Sequence, residues 1–222
     1  MVINPNLFKK EVYQIAFTHR SYLNESQGVR QSNERLEFLG DSVLSFIISS
    51  LLFEKRRQDA EGDLTNLRSY IVKTPSLAKA AKKLNLGKFL KLSKGEEMTG
   101  GRQNPQILAN TYEAVLGAIY LDKGIDFAKE FVQATLLVLF ENELKEGPPK
   151  DSKSLLQELT QNQTKQSPKY KILETSGPDH AKKFKVGVFL QGKIVGQGEG
   201  LSKQIAEEAA ASEALEFLSE NS

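Results

Sequence analysis

The stretch Asn33-Glu34-Arg35-Leu36-Glu37-Phe38-Leu39-Gly40-Asp41-Ser42 decides how the rest of the chain is read. It runs without a proline into Val43-Leu44-Ser45-Phe46-Ile47-Ile48, with Leu51 and Leu52 beyond, so one helix is predicted. At about 100° per residue, Glu34, Glu37 and Asp41 fall on one narrow face of it. Carboxylates at that spacing repel one another and weaken an isolated helix. Gly40 adds a penalty of about 1 kcal/mol in mid-helix. A helix that accepts both costs beside a core-forming run points to a use for its carboxylates. A hard cation such as Mg²⁺, which takes oxygen ligands, suits them. The alternative is an ordinary solvated acidic face.

The rest of the chain narrows the choice. Its 222 residues suffice for one large domain or two smaller ones, and 39% hydrophobic content is adequate for a real core. The net charge is only +2, so any basic surface must come from local clustering. With no cysteine, disulfides and thiolate metal sites are excluded, and two histidines make a His-rich zinc site a poor fit. No uninterrupted apolar run reaches the roughly 18 residues of a membrane span, and no signal-peptide pattern opens the chain. The expectation is a soluble cytoplasmic protein that does not engage a membrane.

Residues 7–22 carry a helical pattern, with Leu7, Val12, Ile15 and Ala16 as a shared stripe and His19 and Arg20 closing it. By itself His19 reads as a hydrogen-bonded structural residue. A polar loop over 23–32 leads into the carboxylate helix. Beyond it, Asp63 is positioned to cap a helix through Leu67, Tyr70, Ile71 and Val72, with Glu61 just ahead. Pro75-Ser76 opens the next helix. Residues 94–105, rich in glycine and polar groups, read as a loop. The following segment, 107–121, is nearly apolar all round and should be buried, with Glu113 as its one internal charge. Such a Glu needs a partner, a metal or a raised pKa, and it closes a cation site with Glu37 and Asp41 if the two helices pack face to face. An amphipathic helix over 125–144 completes an all-helical region.

Helical periodicity stops at Gly147-Pro148-Pro149, which sets domains at 1–146 and 153–222 joined by a linker over 147–152. The second begins with a short helix over 154–162. Alternating strands follow over 168–175, 183–190 and 194–200, with turns at Gly177-Pro178-Asp179-His180 and Gln191-Gly192-Lys193. Ser202 caps a closing helix. The order is α-β-β-β-α with an antiparallel sheet, giving an all-α domain followed by an α+β domain.

The decapeptide at 33–42 resembles the signature of the ribonuclease III family, and the α-β-β-β-α tail resembles a double-stranded-RNA-binding domain. Thr18-His19-Arg20-Ser21-Tyr22, Glu61-Gly62-Asp63-Leu64-Thr65 and Gly100-Gly101-Arg102 extend the likeness over essentially the whole chain. The resemblance implies a homodimer of helical endonuclease domains that holds an RNA duplex, each subunit cutting one strand. Mg²⁺, or Mn²⁺ in its place, would activate water as the nucleophile. Products would carry 5′ phosphates, 3′ hydroxyls and short 3′ overhangs, as in RNA processing. It implies metal ligands at Glu37, Asp41 and Glu113, with Asp41 and Glu113 catalytic, and a secondary acidic ring at Glu34 and Glu61. Phe38 matches a residue that plugs a pocket in the partner subunit, although on physical grounds it is equally an ordinary core Phe. In the tail, Gln157 and Gln161 would face one minor groove and His180 the next, with Ser202 and Lys203 at phosphates across the major groove.

Two departures stand out. Where the family has a fourth carboxylate, an Asp three residues before the Glu, this chain has Asn110. An amide oxygen can ligate Mg²⁺ but is neutral, so weaker metal binding and slow or absent hydrolysis are expected. In the tail, Lys203 is followed by Gln204 and Ile205 where the family has further basic residues, so phosphate clamping should be weaker. The alternative to a Mg²⁺-dependent double-strand endoribonuclease is a protein that binds double-stranded RNA without cutting it. A phosphohydrolase acting on small molecules would need more histidines.

Overall fold

The computed structural model describes residues 10–26, 28–149, 151–178 and 181–220. The chain divides into two units, Met1–Pro148 and Pro149–Ser222. In the first, α1 (Glu11–Ala16) buries Tyr13 and Ala16. The helix predicted over 7–22 is interrupted: Thr18 bridges to Lys91, and His19 turns extended ahead of a 3₁₀ turn at Arg20–Asn24. The interruption has a long-range cause. Lys91 N–H donates to Phe17 O at 2.8 Å, and Asn33 N–H to Thr18 O at 2.8 Å, so these carbonyls serve other parts of the chain. Phe17 joins Tyr13 in the core, while Leu7 of the expected stripe lies outside the described residues.

Helix α2 (Glu34–Lys55) buries Leu36, Val43, Leu44, Ile47, Ile48 and Leu52. By length and composition alone it is apolar enough to cross a membrane. Its apolar residues instead form the centre of this core. Helix α3 (Glu61–Val72) starts before Asp63, which sits in the first turn and does not cap it. Its charge there opposes the positive helix end. Helix α4 (Thr74–Lys83) carries Pro75 in its first turn, where no N–H is missed. The region expected as a loop contains a short helix, α5 (Lys94–Met98), because Ser93 Oγ accepts from Glu96 N–H at 3.2 Å.

Helix α6 (Pro105–Thr135) is capped by Asn104, whose Oδ1 accepts from the N–H groups of Gln106 and Ile107. It kinks at Gly124, whose φ of 81° suits glycine. The helix predicted over 125–144 therefore continues α6 and stops at Thr135. A 3₁₀ turn at Leu137–Leu139 and α7 (Glu141–Glu146) follow.

The α2–α6 crossing explains Gly40. A Cβ there would lie 1.8 Å from the carbonyl oxygen of Glu113, and one on Gly117 would lie 2.4 Å from that of Leu36. The glycines let the two backbones touch. The helical penalty at Gly40 thus has a packing cause, distinct from the one behind the acidic face.

In the second unit Asp151 caps α8 (Ser152–Thr164) by accepting from Ser154 N–H at 2.9 Å. Strands β1 (Lys169–Ser176), β2 (Lys183–Leu190) and β3 (Lys193–Gly200) form an antiparallel sheet in that order. Helix α9 (Lys203–Glu220) begins at the predicted cap, with Ser202 Oγ accepting from Ile205 N–H at 3.2 Å. The core is thin: Leu156, Val186 and Val188 meet Ala206, Ala210, Ala211 and Ala214. On the edge strand β3, the Gln197 N–H donates to the Glu213 carboxylate from α9.

Candidate active site

Backbone contact at Gly40 brings the next residue, Asp41, to the turn of α6 that carries Glu113. Both Glu37 and Asp41 bear electrostatically on Glu113. Glu113 is pushed up to about 8, first by burial and then by the negative charges of Asp41 and Glu37. Glu37 is also raised, by burial and by Glu34 and Asp41, against which a hydrogen bond from Asn110 works in the opposite direction. Asn110 sits one turn before Glu113 on α6, and its Oδ1 accepts from Gln106 Nε2 at 2.7 Å. The expected association of the α2 acids with Glu113 and position 110 is therefore present as a set of neighbours.

Among the described residues, no three Asp, Glu, His or Cys side chains form a ready-made metal cluster. The donor set nonetheless suits a hard divalent cation. It offers oxygen only, and Glu113 is pushed up by burial and then by the neighbouring charges of Asp41 and Glu37, both of which a bound cation would relieve.

The secondary acids part company. Glu34 stays beside Glu37, held by Ser32 Oγ at 2.7 Å and facing Arg20 at 3.6 Å. Glu61 accepts from Thr65 Oγ1 at 3.0 Å and lines a separate pocket of about 600 Å³ with Ser49, Phe53 and Arg68. Phe38 is 78% exposed, which overturns the ordinary-core reading. Phe46 and Phe53 are exposed too. Their spacing of eight and seven residues puts all three on the face of α2 opposite its buried residues, a pattern present in the sequence itself.

Other motif residues hold loops in place. His19 Nδ1 pairs with Ser21 Oγ at 2.9 Å, and burial lowers its pKa, as suits a structural histidine. Ser21 Oγ accepts from Ser93 N–H at 3.1 Å. Arg102 donates from Nη1 to the carbonyls of Gly87 and Leu90 and from Nε and Nη2 to the two oxygens of Glu97.

In the second unit Gln157, Gln161 and Lys203 are exposed. Gln157 and Gln204 line one groove of about 960 Å³ where the start of α9 runs beside α8. Ser202 spends its hydroxyl on the helix cap. Lys185 pairs with Glu199 across β2 and β3 at 3.8 Å. His180 lies outside the described residues.

Residues 9–139 match the Ribonuclease-III-like family and residues 152–218 the Double-stranded RNA binding motif. Ribonuclease 3 of Clostridium botulinum is 44% identical over 218 residues, covering 98% of this chain and 91% of that protein. Ribonuclease 3 of Streptococcus gordonii is 47% identical over 204 residues, covering 91% and 88%. Among solved structures, the nuclease domain of ribonuclease III from Campylobacter jejuni aligns with TM-score 0.54 at 40% identity, covering 64% of this chain and 92% of that one. That structure is described as showing flexibility in a region involved in dimer formation. With its helical acidic cluster followed by an α-β-β-β-α unit, the chain belongs to the ribonuclease III family.

Proposed function

We propose that the family's double-strand-specific endoribonuclease chemistry is carried here by Glu37, Asp41 and Glu113, with Mg²⁺ as the cation and Mn²⁺ as a substitute. The observation that carries this is the gathering of three carboxylates at one helix crossing, where burial first, and then the charges of Asp41 and Glu37, push Glu113 up to about 8. A divalent cation bound there would supply Lewis acidity toward the phosphodiester and make water a better nucleophile. Glu37, Asp41 and Glu113 would hold it, and Asn110 stands fourth as a neutral neighbour. Asp41 and Glu113 are the catalytic pair, Glu34 tunes Glu37 through its charge, and Arg20 holds Glu34. Hydrolysis leaves 5′ phosphates and 3′ hydroxyls. The second unit grips the duplex through Gln157 and Gln161 on α8 and Lys203 at the start of α9, with His180 lying between β1 and β2 in the sequence. Ser202 presents the positive end of α9 by capping it.

A second copy of the chain completes the enzyme. Phe38, Phe46 and Phe53 give α2 an apolar outer stripe, and Phe38 fits the pocket that Glu61 lines in the opposite subunit. Phe38→Ala should shift sedimentation from dimer toward monomer, and an unchanged dimer would remove Phe38 from the seam. The assembly places one cutting site on each strand, leaving short 3′ overhangs. The cytoplasm is the compartment that suits such an enzyme.

The test of function is duplex RNA incubated with this chain and with Asn110→Asp, in Mg²⁺ and in EDTA. Cleavage is expected only in Mg²⁺, roughly tenfold or more faster for Asn110→Asp, since the extra charge helps to offset that of the cation. Equal rates would overturn the reading of position 110. If neither protein cleaves, the acidic cluster is not the cutting site.

A further inference from the structure

Helix α7 is capped at its end by a side chain from a distant part of the sequence. Arg56 Nη1 donates to the carbonyl of Leu144 at 3.1 Å and to that of Lys145 at 2.8 Å, across 88 and 89 positions. The carbonyl just before them, on Glu143, accepts from Gly147 N–H at 2.8 Å. Three of the last four carbonyls of α7 are thus satisfied, two of them by one guanidinium. Asp59 takes the other edge of that guanidinium. It accepts from Arg56 Nε at 2.7 Å and pairs with Nη2 at 2.7 Å. The side chains of Arg56 and Asp59 are each only 20% exposed, so this is a fixed clasp and not a mobile surface pair. Helix α7 has six residues and needs such help, because a helix that short does not persist in water by itself. Leu144 adds a side chain packed against the core of the first unit.

We infer that Arg56 is a positioning residue that sets how much chain tethers the second unit to the first. With α7 formed, residues 147–151 lead from its end to the start of α8. With α7 released, its six residues join the tether and roughly double it. The consequence is one of concentration. A duplex held by the nuclease unit meets the second unit at an effective concentration that falls roughly as the −3/2 power of tether length, so doubling costs about threefold. Arg56 lies outside the acidic cluster and outside the second unit, and it acts on RNA only through α7. A lysine there would bring a point charge in place of a planar fork that reaches Asp59 with one edge and two carbonyls with the other. The inference rests on the second unit gripping the duplex that the first unit cuts.

The test uses the full chain with Arg56→Ala, with Arg56→Lys, and with a six-residue Gly-Ser insertion after Pro149. A glutamate-specific protease reads the state of α7 directly, since Glu141, Glu143 and Glu146 lie in it. Arg56→Ala should speed cutting after Glu141 and Glu143 by about tenfold or more, the worth of hydrogen bonds from a charged donor, and leave other sites in the nuclease unit as they were. Duplex RNA affinity, followed by anisotropy with Ca²⁺ in place of Mg²⁺, should weaken about threefold in Arg56→Ala. The insertion should weaken it equally while α7 stays resistant to the protease. Arg56→Lys, the gentler change, should fall between this chain and Arg56→Ala in both readouts. The cleavage rate at saturating RNA in Mg²⁺ should be the same in all four proteins. Unchanged affinity in Arg56→Ala or in the insertion overturns the inference. So does faster proteolysis across the whole nuclease unit, or a saturating rate that falls with affinity, since either marks Arg56 as a general support of the fold. If Gln161→Ala leaves duplex affinity unchanged, it is the reading of the grip beneath the inference that fails.

Discussion

Two places where elements meet at a glycine with no side chain between them differ in what they gather. At Gly40, α2 lies on the Glu113 backbone of α6 inside a core that runs from Tyr13 to Phe140. At Gly198, β3 lies on α9, where a Cβ would come 2.2 Å from Ala210 N, inside a core of seven buried residues, four of them alanine. The first contact gathers charge: Glu37 and Asp41 flank Gly40, and Glu113 is the residue it touches. The second gathers only backbone and methyl groups. A large core can hold a destabilised acidic cluster, because the surrounding burial offsets it. A small unit has little stability to spare and fills its thin core by close approach.

Breaking each contact in turn should show this most strongly. Gly198→Val should cost more than about 3 kcal/mol, because the obstructing atoms are backbone. In urea it should remove the second unit's transition and its binding to duplex RNA while the nuclease transition stays. Gly40→Ala should do the reverse, costing the first unit about 3 kcal/mol and cleavage with it. One shared transition that shifts in both variants would show that the two cores do not act separately.

A smaller effect comes from the charge that only the first contact gathers. The folded-state pKa of Glu113, about 8, lies above the usual carboxyl value of 4.5. In EDTA the folded chain therefore keeps a proton that the unfolded chain has released, and stability falls as pH rises from about 4.5 to about 8. We expect the loss to reach about 2 kcal/mol after allowing for partial exposure. Glu113→Gln should flatten that slope in thermal melts, and a slope that survives would place the titrating group elsewhere. Smallest is the change expected from Lys203→Ala in the second unit. It should reduce the salt slope of duplex binding by about 0.7–0.9, one phosphate's worth. An unchanged slope would take Lys203 off the backbone.

What the sequence made legible was periodic or signature-like. The extent of α2, the bounds of β2 and the Ser202 cap follow from local patterns, and the grouping of Glu37 and Asp41 with Glu113 came from the resemblance of the 33–42 signature. What stayed hidden depends on contacts distant in sequence. Residues 17–19 leave the helix because Lys91 and Asn33 claim their carbonyls and amides. Gly40 is required by a backbone 73 positions away, which no local penalty reveals. Residues 94–98 form a helix because one serine caps them, within a stretch whose glycines argued for a loop.

The link from Glu213 to the Gln197 amide bears on how copies of this protein can associate. An outer strand invites another strand to zip alongside, the usual route to fibrils and swapped dimers. Here a newcomer would have to evict a carboxylate from the amide it needs and leave that charge facing the new seam. Strand addition at β3 is thus discouraged, and the helix-to-helix assembly proposed through the phenylalanine stripe of α2 would compete with one fewer adhesive edge.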